Sequence, residues 1–181
     1  MRIIGGIYKR RRFEVPKNFK LRPTTDFAKE NLFNVLQNLI DFEGKTVLDL
    51  FSGTGSISFE FASRGCEKII SVEKSAAHCG FIQKVIRELN APIHSIKGDA
   101  LKYISNSKGE KFDIIFADPP YALKEMSDIP DLIFHYQRVK PGGLFILEHS
   151  SDNHFEEHPF FLQHRLYGSV NFTIFQQPEQ A

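Results

Sequence analysis

The sequence predicts an α/β fold: a seven-stranded, mostly parallel sheet with helices on both faces, closed by an antiparallel hairpin and preceded by a small N-terminal β-hairpin. Three observations predict it. Short apolar runs alternate with helix-spaced segments from residue 24 to residue 147, the pattern of a parallel sheet covered on both sides. Two strand-like runs near the end, 162–167 and 170–175, are separated only by Gly168-Ser169 and must pair antiparallel. The 181 residues, 41% hydrophobic and 25% charged, suffice for one such domain with a full core.

Each element follows in order. Arg2, Ile3 and Ile4 precede Gly5-Gly6, and residues 11–15 alternate before Pro16, which predicts a hairpin with Tyr8, Lys9, Arg10 and Arg11 around its turn. Thr24, Thr25 and Asp26 offer helix caps. Ala28, Leu32, Val35, Leu36, Leu39 and Ile40 follow at helical spacing. Residues 46–50 read as a strand, and Ser52-Gly53-Thr54-Gly55 as a glycine-rich turn into a helix carrying Ile57, Phe61 and Ala62. Strands at 68–72, 93–97, 112–117 and 144–147 alternate with helices over Phe81 to Leu89, 100–104 and 129–139. The turn Lys140-Pro141-Gly142-Gly143 separates the last helix from its strand.

Charge is divided unevenly. Residues 1–22 hold eight Lys or Arg against the single acid Glu14, while the rest of the chain holds fifteen basic and twenty-one acidic residues. A basic arm, 1–22, on a mildly acidic domain, 23–181, suggests a nucleic-acid partner, with Lys9, Arg10, Arg11, Arg12 and Arg22 as the phosphate-facing cations. A solvated basic strand with no partner is the alternative. Cys66 and Cys79 have no metal-ligand spacing and read as reduced, buried thiols. No metal, no membrane partner, a cytoplasmic location and a monomer are expected. No apolar run approaches the length of a membrane span, and the charged start does not read as a signal peptide.

The cofactor half of a site lies at the carboxyl ends of the first three strands. Asp49, Phe51, Ser52, Gly53, Thr54 and Gly55 carry the chain from strand to helix, and glycine lets a ligand lie against bare backbone. Glu73, followed by Lys74, stands twenty positions after Gly53, where a carboxylate accepts hydrogen bonds from two ribose hydroxyls. Asp99, followed by Ala100, ends the third strand. Ser58 replaces the third glycine of a dinucleotide fingerprint, and Asp49 would repel a pyrophosphate. An acidic cleft suits a cationic sulfonium with an ammonium group, so S-adenosyl-L-methionine is the expected cofactor and S-adenosyl-L-homocysteine its product. A plain βα turn without ligand is the alternative.

The catalytic half is Asp118-Pro119-Pro120-Tyr121, which directly follows the predicted strand 112–117. Two prolines stiffen the loop. The Asp118 carboxylate and the Pro119 carbonyl can accept the two N–H groups of an amine on a planar base. That turns the nitrogen lone pair toward a methyl group and stabilises the developing positive charge. Tyr121 offers a stacking face. The alternative is a capped turn with Tyr121 in the core.

These residues resemble the bacterial family of 16S ribosomal RNA guanine-N2 methyltransferases. The resemblance covers nearly the whole chain: Arg2-Ile3-Ile4-Gly5-Gly6, Leu21-Arg22-Pro23-Thr24-Thr25-Asp26, Glu30-Asn31-Leu32-Phe33-Asn34, the segment from Leu48 to Gly55, Ser63-Arg64-Gly65, Val72-Glu73 and the Asp-Pro-Pro-Tyr loop. It implies a Rossmann-like class I methyltransferase that modifies one guanine N2 in 16S rRNA, within an assembling 30S subunit. By position it assigns Glu73 to the ribose, Asp99 to the adenine amine, and Asp118 with Pro119 to the target amine. The stretch from Arg22 to Thr25 would line the methionine end or the base entrance. Ser56 and Ser58 depart from the family's usual Ala and Gly, and the stretch from Glu73 through Gly80 fits it only loosely. Two other functions remain open at this point: a DNA adenine-N6 methyltransferase, and a ribosome-assembly RNA-binding module with little turnover.

Overall fold

A computed structural model describes residues 1–19, 24–106 and 109–179. Among them, α1 (Asp26–Leu36) leads into β1 (Thr46–Leu50), α2 (Ser56–Ser63), β2 (Lys68–Glu73), α3 (Ala76–Leu89) and β3 (Ile93–Lys97). Next come α4 (Ala100–Ile104), β4 (Phe112–Ala117), α5 (Ile129–His135), β5 (Val139–His149), β6 (Phe161–Tyr167) and β7 (Val170–Gln176). The sheet runs β3-β2-β1-β4-β5-β7-β6. β1 to β5 pair parallel, and β6 and β7 close the edge antiparallel. This is the predicted fold. Reversal of strand order beside β1 and β4 opens a crevice at their carboxyl ends, where such sheets bind ligands.

Alternation along each strand splits the core in two. Val47, Ile69, Ile114, Phe116, Leu144 and Ile146 face α1, α2 and α3. Leu48, Ile70, Ile115, Ala117, Phe145 and Leu147 face α4 and α5. Strands buried on both faces read as continuous apolar runs, which is why β4 was legible as Phe112-Asp113-Ile114-Ile115-Phe116-Ala117.

The boundaries differ from expectation chiefly at the end of α1 and between α5 and β5. α1 stops at Leu36, short of Ile40, because Asn38 N–H donates to the Val35 carbonyl and Leu39 N–H to the Leu36 carbonyl. Such i→i−3 bonds tighten the last turn, and Leu39 is left partly exposed. The helix expected over 129–139 ends at His135. Gln137 adopts φ +50°, and Phe112 N–H donates to the Arg138 carbonyl at 2.8 Å, so Val139 already belongs to β5. The predicted turn at 140–143 is an irregularity inside that strand: register passes from Phe112–Val139 to Ile114–Leu144.

The N-terminal arm forms the expected antiparallel loop, though short. Arg2 and Arg12 make a single bridge, Ile3 N–H donates to the Arg11 carbonyl, and Phe13 N–H to the Met1 carbonyl. Its inner residues Ile3 and Phe13 join the core beneath α1 and α2. Backbone N–H groups of Ile4 and Gly5 donate to the Glu60 carboxylate at 2.9 and 2.8 Å, and Tyr8 N–H to Ser63 Oγ at 2.8 Å. Glu60 and Lys29 are both buried, with Nζ 3.6 Å from Oε2, and Lys29 also donates to the Arg2 carbonyl and Ser56 Oγ. A Cβ on Gly6 would overlap the Ser63 carbonyl, so only glycine passes there.

Candidate active site

A cleft of about 1290 Å³ lies over the carboxyl ends of β1, β2, β4 and β5, roofed by the arm and the start of α1. Pockets for one small ligand run to roughly 300–1,000 Å³. The cleft therefore has room for a nucleoside cofactor and a base together.

The turn after β1 is built from left-handed backbone. Phe51, Gly53 and Gly55 have φ of 57°, 54° and 76°. Gly55 caps α2, and a side chain there would press on Phe59 and Ile82. It shapes the turn rather than lining the cleft. Phe51, Ser52, Gly53 and Thr54 do line it. Glu73 ties this turn to the one after β2: Oε2 accepts Gly53 N–H at 2.9 Å and Oε1 accepts Ser75 N–H at 2.7 Å. His78 Nδ1 stands 3.4 Å from Oε1. A carboxylate oxygen has two lone-pair sites, so each retains capacity for a ligand hydroxyl. Asp99 caps α4 through Lys102 N–H, with Lys74 Nζ 3.9 Å away, and Ala100 and Leu101 give the cleft an apolar wall.

Asp49 is almost fully buried, and its Oδ2 accepts the backbone N–H and the hydroxyl of Ser58. Burial pushes its carboxyl up to about 7, against the pull of the two Ser58 hydrogen bonds. Ser58, a departure from the resembled pattern, is therefore a partner of the acid in the cleft floor.

The second half of the cleft is the loop after β4. Asp118 N–H donates to the Leu50 carbonyl at 3.4 Å, continuing the ladder one residue past the strand, and Leu123 N–H closes a turn on the Pro120 carbonyl at 2.8 Å. Asp118, Pro119, Pro120 and Tyr121 all line the cleft, with Phe116 and Leu123 beside them. Thr25 lines it too, while its hydroxyl caps α1 by accepting Ala28 N–H at 3.1 Å. The structure thus brings together on one cavity Asp49, Phe51, Ser52, Gly53, Thr54, Glu73, Lys74, Asp99, Ala100, Thr25 and the Asp118 loop.

Of the basic residues, Arg12 lines the cleft mouth. Lys9, Arg10 and Arg11 are exposed on the arm outside it, and Arg11 pairs with Glu88 at 2.9 Å. Arg22 lies outside the described residues. Sequence reasoning missed Arg2, Phe13, Val15 and Phe19 on the roof, His78 beside Glu73, and Glu148 at the end of β5. Glu148 was findable: it follows Leu147 directly, and the strand-end rule that selected Glu73 and Asp99 selects it once β5 is extended past Leu147. The roof residues carry no local signal, because only tertiary folding lays the arm over the sheet edge. Among the described residues, no group of three His, Cys, Asp or Glu side chains could hold a metal, and no helix is long and apolar enough to cross a membrane.

Comparison with known proteins gives the family and the fold. Residues 1–176 match the family described as conserved hypothetical protein 95. Ribosomal RNA small subunit methyltransferase D of Haemophilus influenzae is 28% identical over 182 residues, covering 97% of this chain and 93% of its own. The solved structure of the Escherichia coli protein yhhF superposes with a TM-score of 0.86 at 26% identity, covering 99% of each chain. The Thermus thermophilus 16S rRNA N2 methyltransferase RsmC, in complex with AdoMet and guanosine, has a TM-score of 0.68 at 21% identity over 88% of this chain and 45% of its own. That last likeness is one of fold.

Proposed function

This chain belongs to the conserved hypothetical protein 95 family, and we propose that it transfers a methyl group from S-adenosylmethionine to the exocyclic N2 of one guanine in 16S rRNA. The observation that carries the reading is the placement of Asp118-Pro119 on the same cavity as Glu73 and Asp99. One end of the cleft suits a nucleoside and the other an amine. The relative's name, small subunit methyltransferase D, supports ribosomal RNA as the polymer.

The residues present fit the cofactor. Glu73 would hold the ribose hydroxyls, Asp99 would accept from the adenine amine, and Ala100, Leu101 and Val72, which line the cleft, would give the ring an apolar bed. Phe51, Ser52, Gly53, Thr54 and Lys74 border the chain between nucleoside and methionine. Asp49 and Thr25 face its cationic end. When bound, S-adenosylmethionine supplies an electrophilic methyl group on a sulfonium and leaves as S-adenosylhomocysteine. Asp118 and Pro119 accept the two N–H bonds of guanine N2 and aim its lone pair at the methyl carbon. Asp118, anionic beside the amine, would take up one N2 proton and pass it to the solvent at the cleft mouth. Tyr121 stacks on the flipped base. Orientation of this kind supplies roughly 7–11 kcal/mol of a barrier when fully realised.

Residues 1–22 act as an RNA-gripping arm on the methyltransferase domain, 23–181. Lys9, Arg10, Arg12 and Arg22 neutralise phosphates of RNA within an assembling 30S particle, and a monomer suffices. The test is to incubate the protein with labelled S-adenosylmethionine and small subunits lacking the modification, then digest and identify the nucleosides. N2-methylguanosine is expected. Label in N6-methyladenosine instead, or none with cofactor bound, refutes the guanine reading.

A further inference from the structure

Asp118 has a neighbour of the same kind. Ala117 and Leu147 are register partners in the parallel β4–β5 pair. Asp118, the first residue past β4, and Glu148, still within β5, therefore each follow one member of a register pair whose strands lie about 4.8 Å apart. Both continue the alternation of Phe116 and Ile146, so both stand on the face of the sheet covered by the arm and α1. Both line the cleft. Glu148 is only 4% exposed, and a buried carboxylate requires partners. Thr24 Oγ1, at the foot of α1, donates to Glu148 Oε2 at 3.0 Å and fixes its direction.

Two acceptor-only side chains at this end of the cleft distinguish one purine edge from another. Guanine presents two adjacent donors, N1–H and the N2 amine. Adenine also presents an amine, but its N1 is a lone pair, which a carboxylate repels. We propose that Glu148 accepts a hydrogen bond from guanine N1–H while Asp118 holds the N2 amine, making Glu148 the residue that selects guanine over adenine. This rests on the guanine-N2 reading and adds to it a residue for the choice of base.

The test turns N1 from donor to acceptor on the RNA, with loss of O6, and turns one oxygen of residue 148 into a donor on the protein. The change in preference between wild type and variant therefore isolates the N1 contact. Subunits are reconstituted with 16S RNA carrying either guanine or 2-aminopurine at the mapped target. 2-Aminopurine keeps the amine but has an unprotonated N1. Wild type is expected to methylate guanine about 10- to 100-fold faster, the worth of one hydrogen bond to a charged group. Glu148→Gln can donate its amide to an unprotonated N1 and still accept from Thr24. It is expected to reduce that preference by a factor of about ten, with S-adenosylmethionine affinity, read by calorimetry, unchanged. Binding competition between the two RNAs in the presence of S-adenosylhomocysteine gives the same ratio where turnover is too slow to measure. A wild-type ratio near one, a ratio unaltered by Glu148→Gln, or loss of cofactor binding in that variant overturns the inference. Those results leave the guanine-N2 reading standing, whereas wild type that labels adenine and not guanine overturns the reading itself.

Discussion

Replacing Glu60 by Ala tests whether the basic arm is part of the folded core. The carboxylate is fully buried on α2, where it accepts Ile4 N–H and Gly5 N–H, and Arg64 Nε at 3.0 Å, and faces Lys29 Nζ at 3.6 Å. Its loss orphans two arm amides and takes from the buried Lys29 ammonium its ion-pair partner, leaving only the more distant charge of Asp26. An orphaned buried donor costs about 1–3 kcal/mol, and breaking one side of a buried pair about 3–5 kcal/mol. The two terms overlap, so a loss of about 3–5 kcal/mol is expected rather than their sum. At about 2–4 °C per kcal/mol for a chain of this size, Tm falls by roughly 6–20 °C. Far-UV circular dichroism reads the melt, and trypsin at Lys9, Arg10, Arg11 and Arg12 reads release of the arm. A Lys29→Met, Glu60→Leu double variant removes both charges and is expected to recover part of the loss. A fall of less than about 2 °C for Glu60→Ala, with unchanged trypsin sensitivity, refutes the claim that the latch holds the arm.

The remaining predictions concern the cleft and the arm. Asp118→Ala is expected to lower kcat by about 10²- to 10³-fold, on the scale of losing one preorganised partner of the reacting group, with cofactor Kd unchanged; single-turnover kinetics and calorimetry read the two, and a normal rate refutes the role. Asp49 is neutral below its raised value of about 7 and anionic above it. Affinity for the cationic cofactor should therefore climb from pH 6 to pH 8, flatten in Asp49→Asn, and shift its midpoint upward in Ser58→Gly; a pH profile identical in wild type and Asp49→Asn refutes the assignment. Replacing Lys9, Arg10 and Arg12 with Gln should lower the slope of log K against log salt for RNA binding by about 2–3, and adding Arg11 should change it less because Glu88 already holds it. An unchanged slope shows that the arm does not touch phosphate.

The sheet was legible because its interior strands are apolar on both faces, and the strand-end rule then located Asp49, Glu73, Asp99 and Asp118 without any long-range information. Legibility failed where meaning depends on a distant partner. Val139 fits the helical spacing before it and the strand after it; the backbone of Gln137 and the bond from Phe112 decide between them. Glu60 reads as the polar face of a short helix, yet its ligands lie more than fifty residues upstream in the arm. The same effect hides the arm's inner face. Its charge excess marks it as a basic arm, and Lys9, Arg10 and Arg12 are exposed on it. Its backbone N–H groups, with Ile3 and Phe13, meanwhile complete the core and the roof of the cleft. A charge count registers only the outward half of such a segment. The physical consequence is that RNA held on the arm's outer face, as proposed, would be gripped by a segment that Glu60 and Lys29 fasten to the core and that also roofs the cleft.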